Sequence, residues 1–226
     1  LIIMKTPANP TGGVTPKEEL DKLAAGLAEW PNVVVMSDEI YDRMLYDGRQ
    51  HASMLAYEDL RDRLIVLNGW SKTYAMTGWR LGYSIWPERL IGHVEKLAVN
   101  CHSCVNAPTQ FAGIAALNGP QDEVDGMLVA FDKRRRLIVD ALNALPGVRC
   151  AEPGGAFYAF PNITGTGMDA KALQTQLLEQ AGVAVVAGTS FGALGEGFIR
   201  FSYAASAEQI EDAMGRMQKL LERAND

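Results

Sequence analysis

Cysteine is scarce in this chain. Three residues in 226, Cys101, Cys104 and Cys150, are an odd number that builds no disulfide framework. Partly buried, reduced thiols of a cytoplasmic protein are the expectation. Cys101 and Cys104 form a C-x-x-C around His102, but a closed zinc site needs four N or S ligands and no second pair lies nearby, so no metal is expected. His51, His93 and His102, the only histidines, lack the mutual spacing of a metal site and read as surface or interface residues. Basic residues are outnumbered 21 to 27 for a net charge of −6, which disfavours nucleic acid or an anionic membrane surface as partner. No uninterrupted apolar run approaches the roughly 20 residues of a spanning helix. What is present is ordinary for a globular protein, 48% hydrophobic and 21% charged, with enough length for one large or two modest domains.

The first half alternates apolar strands with helical patterns. "LIIMK" (1–5) reads as a buried strand, and a chain rarely begins inside one, so these residues are expected to continue a longer protein. Thr15 is placed to cap a helix, with Pro16 at its first position and Glu18 closing a capping box. Leu20, Leu23, Ala24 and Leu27 recur at helical spacing. "NVVVMS" (32–37) and "RLIVLN" (63–68) run apolar without alternation, as strands covered on both faces do. This rhythm predicts an α/β domain with a mostly parallel sheet, and "WRLGYSIWP" (79–87) offers one further strand.

Beyond about residue 106 the texture changes to long helical stretches through "APTQFAGIAALNG" and "EVDGMLVAFDKRRRLIVDALNAL", within which "DKRRR" (132–136) reads as a solvated face. Short strands are expected in "GGAFYAFPNI", "VAVVAG" (183–188) and "GFIRFSYA" (197–204). Helices are expected near 170–181, ended by Gly182, and after Ser206. The domain expectation is 1–105, then connecting helices 106–142, then a smaller α+β domain over 143–226.

Ligands of open α/β sheets gather beyond the carboxyl ends of parallel strands. Here those ends carry "ANPTGG" with Asn9, "SDEIY" with Asp38 and Tyr41, and "GWSKTYAMTGWRLGY" with Lys72 and Arg80. Each has a plainer reading: Asn-Pro and Gly-Gly make turns, Asp38 could cap a helix, and a lone lysine is usually solvated. Their placement at successive strand ends favours a site. Arg200, between Ile199 and Phe201, is costly in a strand unless it meets an anion or a local carboxylate.

"NPTGG", "SDEIY", "SKTYAMTGWRLGY" and "FIRFSYA", in that order and over nearly the whole chain, resemble the class I/II, fold-type I, pyridoxal-phosphate-dependent aminotransferases, particularly the aspartate and aromatic branch. The resemblance implies a partial large domain plus the smaller C-terminal domain, the family's N-terminal portion being absent. It implies a Schiff base between Lys72 and pyridoxal 5′-phosphate, with the freed Lys72 amine moving the substrate proton. It places Asp38 on the pyridine nitrogen, Asn9 and Tyr41 on the ring's phenolic oxygen, Arg80 on the phosphate and Arg200, with Asn9, on the substrate. Lys72 and Arg200 then belong to different domains that substrate could draw together. Amino-acid and 2-oxo-acid substrates and a homodimer follow, with "NCHSCVNAPTQ" a candidate interface segment.

One departure is Gly69, where many relatives have a phosphate-contacting serine. The phosphate would then depend more on Arg80 and on groups of the absent portion, and the chain alone is expected to bind cofactor weakly and turn over negligibly. The same pattern would also serve a carbon–sulfur lyase or the ligand-sensing domain of a transcription regulator.

Overall fold

The computed structural model describes residues 1–224, which divide into two compact units: residues 1–7 with 14–125, and residues 8–13 with the chain from 126 onward. The first is built on a four-stranded sheet of β1 (Ile2–Lys5), β2 (Val35–Asp38), β3 (Leu64–Gly69) and β4 (Gly82–Ile85), in the order β1-β2-β3-β4. The first three strands pair in parallel, and their register sets Lys5 opposite Asp38 and Asp38 opposite Leu67. β4 returns antiparallel, with Gly82 opposite Gly69. Helix α1 (Lys17–Leu27) follows β1, and its buried Leu20 and Leu27 pack with Val35, Leu64 and Val66 of the sheet. Burying these apolar faces together holds the strand ends in place.

Several sequence expectations are corrected in this unit. Thr15 does not cap α1: Pro16 stands at the N-cap without a side-chain hydrogen bond, and the Thr15 amide donates instead to Thr6 Oγ1 at 2.9 Å. β2 starts at Val35 rather than Asn32 and runs on to include Asp38. β1, expected as a buried strand, has no buried residue, with Ile3 68% exposed, and pairs only with β2 among the described residues; β2, expected to be covered on both faces, alternates buried and half-buried. Also unforeseen from the sequence is α2 (Ile91–His102), although Ile91, Val94, Leu97 and Ala98 recur at helical spacing; Leu97 and Val99 are exposed. In α3 (Ala107–Asn118), Asn106 caps the start by accepting from the Thr109 amide at 3.2 Å.

The second unit holds most of α4 (Asp122–Ala144). It adds β5 (Tyr158–Ala159), α5 (Ala170–Ala181), β6 (Val186–Ala187), β7 (Ile199–Ser202) and α6 (Ala207–Ala224). Its sheet has the antiparallel order β5-β7-β6. The strand expected over 183–188 shrinks to two residues. Gly182 ends α5 in the left-handed conformation, as its position foretold. Ser206 caps α6 reciprocally: its Oγ accepts from the Gln209 amide at 3.3 Å, and its own amide donates to Gln209 Oε1 at 3.1 Å.

The solvated reading of "DKRRR" fails at Arg135, which is 0% exposed. It donates to the Pro153 carbonyl at 2.9 Å and pairs with Asp132 at 2.7 Å and Glu152 at 3.4 Å. Five consecutive helical residues, about 100° apart, cover every face of the helix, so one of the run must face inward, and here Arg135 does so against a carbonyl and two carboxylates.

Candidate active site

In the first unit the site begins at the end of β2. Asp38 Oδ2 receives Lys5 Nζ at 2.7 Å, a pair set by the parallel register of two strand ends. Asp38 Oδ1 accepts from the Ile40 amide at 3.3 Å. Tyr41, on the turn that follows, is buried, and Lys5 Nζ lies 5.8 Å from its ring centroid. Between them Glu39 points into the core. Burial alone would raise its carboxyl, but hydrogen bonds from His51, Ser53, the Met54 amide and Ser37 outweigh that and hold it below the usual value. His51 is therefore not a surface residue; its Nε2 sits 2.9 Å from Glu39 Oε2.

Lys72 is half-buried on a tight turn beyond β3. The Tyr74 amide donates to the Trp70 carbonyl at 3.2 Å, and the Ala75 amide to the Lys72 carbonyl at 3.2 Å. Asp42 braces this turn from both sides of the lysine, accepting from Asn68 Nδ2 at 3.0 Å and from Thr73 Oγ1 at 3.3 Å. Ala75 and Arg80 take left-handed φ values of 51° and 55°, a cost that side chains bear where the surroundings over-determine the backbone. Gly69 has a local reason to lack a side chain: a Cβ there would stand 2.9 Å from Gly82 Cα and from the Leu81 carbonyl oxygen on the antiparallel neighbour. Arg80 is exposed, donates to the Thr77 carbonyl at 2.8 Å and shares an open cleft of about 560 Å³ with Asn106 and Thr109. It has no carboxylate partner among the described residues.

The second unit carries Asn9 and Arg200. The "NPTGG" loop joins it through Gly12, whose carbonyl accepts from the Gly154 and Gly155 amides at 2.9 and 3.0 Å. Gly12 has φ of 68°, and a Cβ on it would meet Pro153 Cβ at 2.5 Å, so only glycine allows this approach. Arg200 Nη1 donates to Asn9 Oδ1 at 2.9 Å, and the guanidinium lies 4.6 Å from the Tyr158 ring and 5.0 Å from that of Phe191. Its Nε is buried without a hydrogen-bond partner. No Asp or Glu among the described residues pairs with it, which removes the local ion pair as its explanation. A buried donor left unmade is costly, and a planar anion would satisfy it.

The structure thus groups Asp38, Tyr41, Lys72 and Arg80 in one unit and Asn9 with Arg200 in the other. In the first, an arginine without an acid among the described residues, a carboxylate at a strand end and a lysine on a braced turn fit a group bearing a phosphate, a basic ring nitrogen and an aldehyde. Among the described residues no three His, Cys, Asp or Glu are grouped to hold a metal ion. Cys101 and Cys104 are exposed rather than partly buried, while burial pushes the Cys150 thiol up to about 11. Sequence reasoning missed Lys5 and Asp42, both charged residues within or just beyond apolar strands, and the two rings around Arg200, which are distant in sequence. The charge closing "LIIMK" was the one available signal.

Residues 1–217 match the family model described as aminotransferase class I and II. The aspartate aminotransferase of Pyrococcus horikoshii is 41% identical over 224 residues, covering 98% of this chain and 56% of its own length. Aromatic-amino-acid aminotransferase 2 of Thermococcus litoralis is 38% identical over 225 residues, covering 97% and 57% respectively. Among solved structures, an aromatic aminotransferase from Pyrococcus horikoshii superposes with a TM-score of 0.95 at 38% identity, covering 99% of this chain and 60% of that one. The fold is the fold-type I α/β fold with a mixed sheet. The chain spans little more than half the length of these relatives. No helix among the described residues is long and apolar enough to cross a membrane.

Proposed function

The chain belongs to the class I and II aminotransferase family, and from that membership we propose that it carries much of the catalytic machinery of a pyridoxal-phosphate-dependent enzyme moving an amino group from an amino acid to a 2-oxo acid. The observation that carries the reading is Arg200: a guanidinium with a buried, unpartnered Nε, no carboxylate pairing with it among the described residues, an asparagine on Nη1 and two rings within 5.0 Å. Such a group recognises a carboxylate in two-point fashion, and both amino acids and 2-oxo acids present one.

When bound, the cofactor supplies an aldehyde that condenses with amines and a ring that draws electrons from the substrate α-carbon. Lys72 would supply the amine that holds the aldehyde, and its amine, when free, would take the α-proton and return it. Asp38 would oppose positive charge on the ring nitrogen. Tyr41 would donate its hydroxyl to the ring's phenolic oxygen. Asn9, whose Oδ1 is engaged by Arg200, keeps its amide N–H groups as donors for a ligand oxygen. Arg80, in its open cleft, would hold the phosphate. A homodimer in the cytoplasm completes the proposal, its association supported by the apolar residues left exposed on α2 and α3 near the segment 100–110.

Borohydride reduction of the full-length protein saturated with cofactor tests the core of this. A pyridoxyl label on Lys72 is the expected result, and label on another lysine refutes the assignment. Product analysis then separates amino transfer from lyase chemistry, since a lyase releases ammonia without any 2-oxo acceptor.

A further inference from the structure

The carboxylate assigned to the cofactor's ring nitrogen already has a cation on it. Lys5 Nζ stands 2.7 Å from Asp38 Oδ2, with the two side chains 30% and 25% exposed. Both residues end adjacent parallel strands and are direct register partners, so the sheet itself fixes the pair. The same Nζ lies 5.8 Å from the ring of Tyr41, the second residue assigned to the cofactor ring in this unit. A lysine pair on an open surface is screened and worth little; this one is partly enclosed and attached to the group that matters for the chemistry.

Building on the function proposed above, we propose that Lys5 is a positioning residue for the cofactor ring, which holds Asp38 and sets how strongly that carboxylate favours a protonated ring nitrogen. A carboxylate has about four lone-pair sites on two oxygens, so Asp38 can keep Lys5 and still accept a ring N–H. The fixed positive charge of Lys5 then opposes the positive charge of the protonated ring, through one carboxylate's width and in a partly enclosed setting. Lys5 thereby weakens the grip of Asp38 on the ring and moderates the electron withdrawal the ring exerts. A lysine that merely tied two strand ends together would affect stability and leave the ring nitrogen untouched.

The test uses the full-length protein with Lys5→Met, Lys5→Gln and the charge-retaining Lys5→Arg. Cofactor affinity is read by equilibrium dialysis of pyridoxal phosphate, and ring protonation by the 15N shift of ring-labelled cofactor across pH. The two neutral variants are expected to bind about three- to tenfold tighter and to raise the ring-nitrogen midpoint by about half to one pH unit, with Lys5→Arg following the unmodified protein. Should Lys5→Met fail to fold, Lys5→Gln, which keeps a hydrogen-bond donor toward Asp38, carries the measurement. Unchanged or weaker binding in the neutral variants, with an unmoved ring nitrogen, overturns the proposal while borohydride labelling of Lys72 in the same samples leaves the functional reading intact. If the unmodified protein takes up no cofactor on Lys72, both fall together.

Discussion

Arg200 is held ready for an anion that its own unit does not supply, and its neighbours explain why a substitution there should be specific. Removing one partner of a buried charge pair costs about 2–5 kcal/mol, roughly 30-fold to several thousand-fold in binding. Arg200→Gln in the full-length enzyme should therefore lower kcat/KM for amino acids by that range, while amines lacking a carboxylate lose little; steady-state kinetics on both substrate types decides it. The thiols offer a second residue-level test. Cys101 and Cys104 are exposed and Cys150 is buried with its thiol pushed up to about 11, so a thiol reagent at pH 8 should modify two sites quickly and the third only after denaturant is added. The catalytic candidates were legible as residue types at strand ends. Lys5 and Asp42 were not, because their roles come from the strand register and a turn that brings distant groups within hydrogen-bond reach.

Elements respond at their close approaches. Gly69 lies against Gly82 across the β3–β4 pair, so Gly69→Ala should push the strands apart and cost about 1–3 kcal/mol, measurable as a lower urea midpoint. Arg135 ties α4 to the Pro153 loop; Arg135→Met keeps the volume but leaves that carbonyl without its donor, and a loss of about 1–3 kcal/mol is expected, since the two carboxylates can rehydrate. The helices α1, α5 and α6 were readable because each turns one apolar face inward, with Leu20 and Leu27, Leu173 and Leu177, and Ile210, Met214 and Met217 buried. α2 went unread although Ile91, Val94, Leu97 and Ala98 stand at helical spacing; in the fold no residue of it is buried, so its stripe marks no core face.

For the whole molecule, Glu39 links stability to pH. Its carboxyl is depressed in the folded chain below a reference value of 4.5, so its contribution is present above that pH and is lost as pH falls through the lower folded value. Urea midpoints measured from pH 6 down to pH 3 should fall most steeply at the acid end, and Glu39→Gln should flatten that limb. The chain also exposes Phe111, Ile114 and Leu117 on α3 together with Tyr83 and Ile85 on β4. Exposed apolar side chains of this kind promote association, and sedimentation of this chain by itself should show concentration-dependent self-association that Phe111→Asp with Ile114→Asp reduces.

Sequence alone determined that strands and helices alternate, that α5 stops at Gly182 and α6 begins at Ser206, and that four ordered motifs place this chain among the aminotransferases. These depend on periodicity and local turn chemistry, which neighbouring residues settle among themselves. Tertiary structure alone decided that Arg135 is buried, that His51 serves Glu39, that Arg200 has Asn9 and two rings but no acid, and that Lys5 shares Asp38. Each of those outcomes depends on which groups the fold brings within a few ångströms across tens of residues of chain, and no local pattern encodes such a distance.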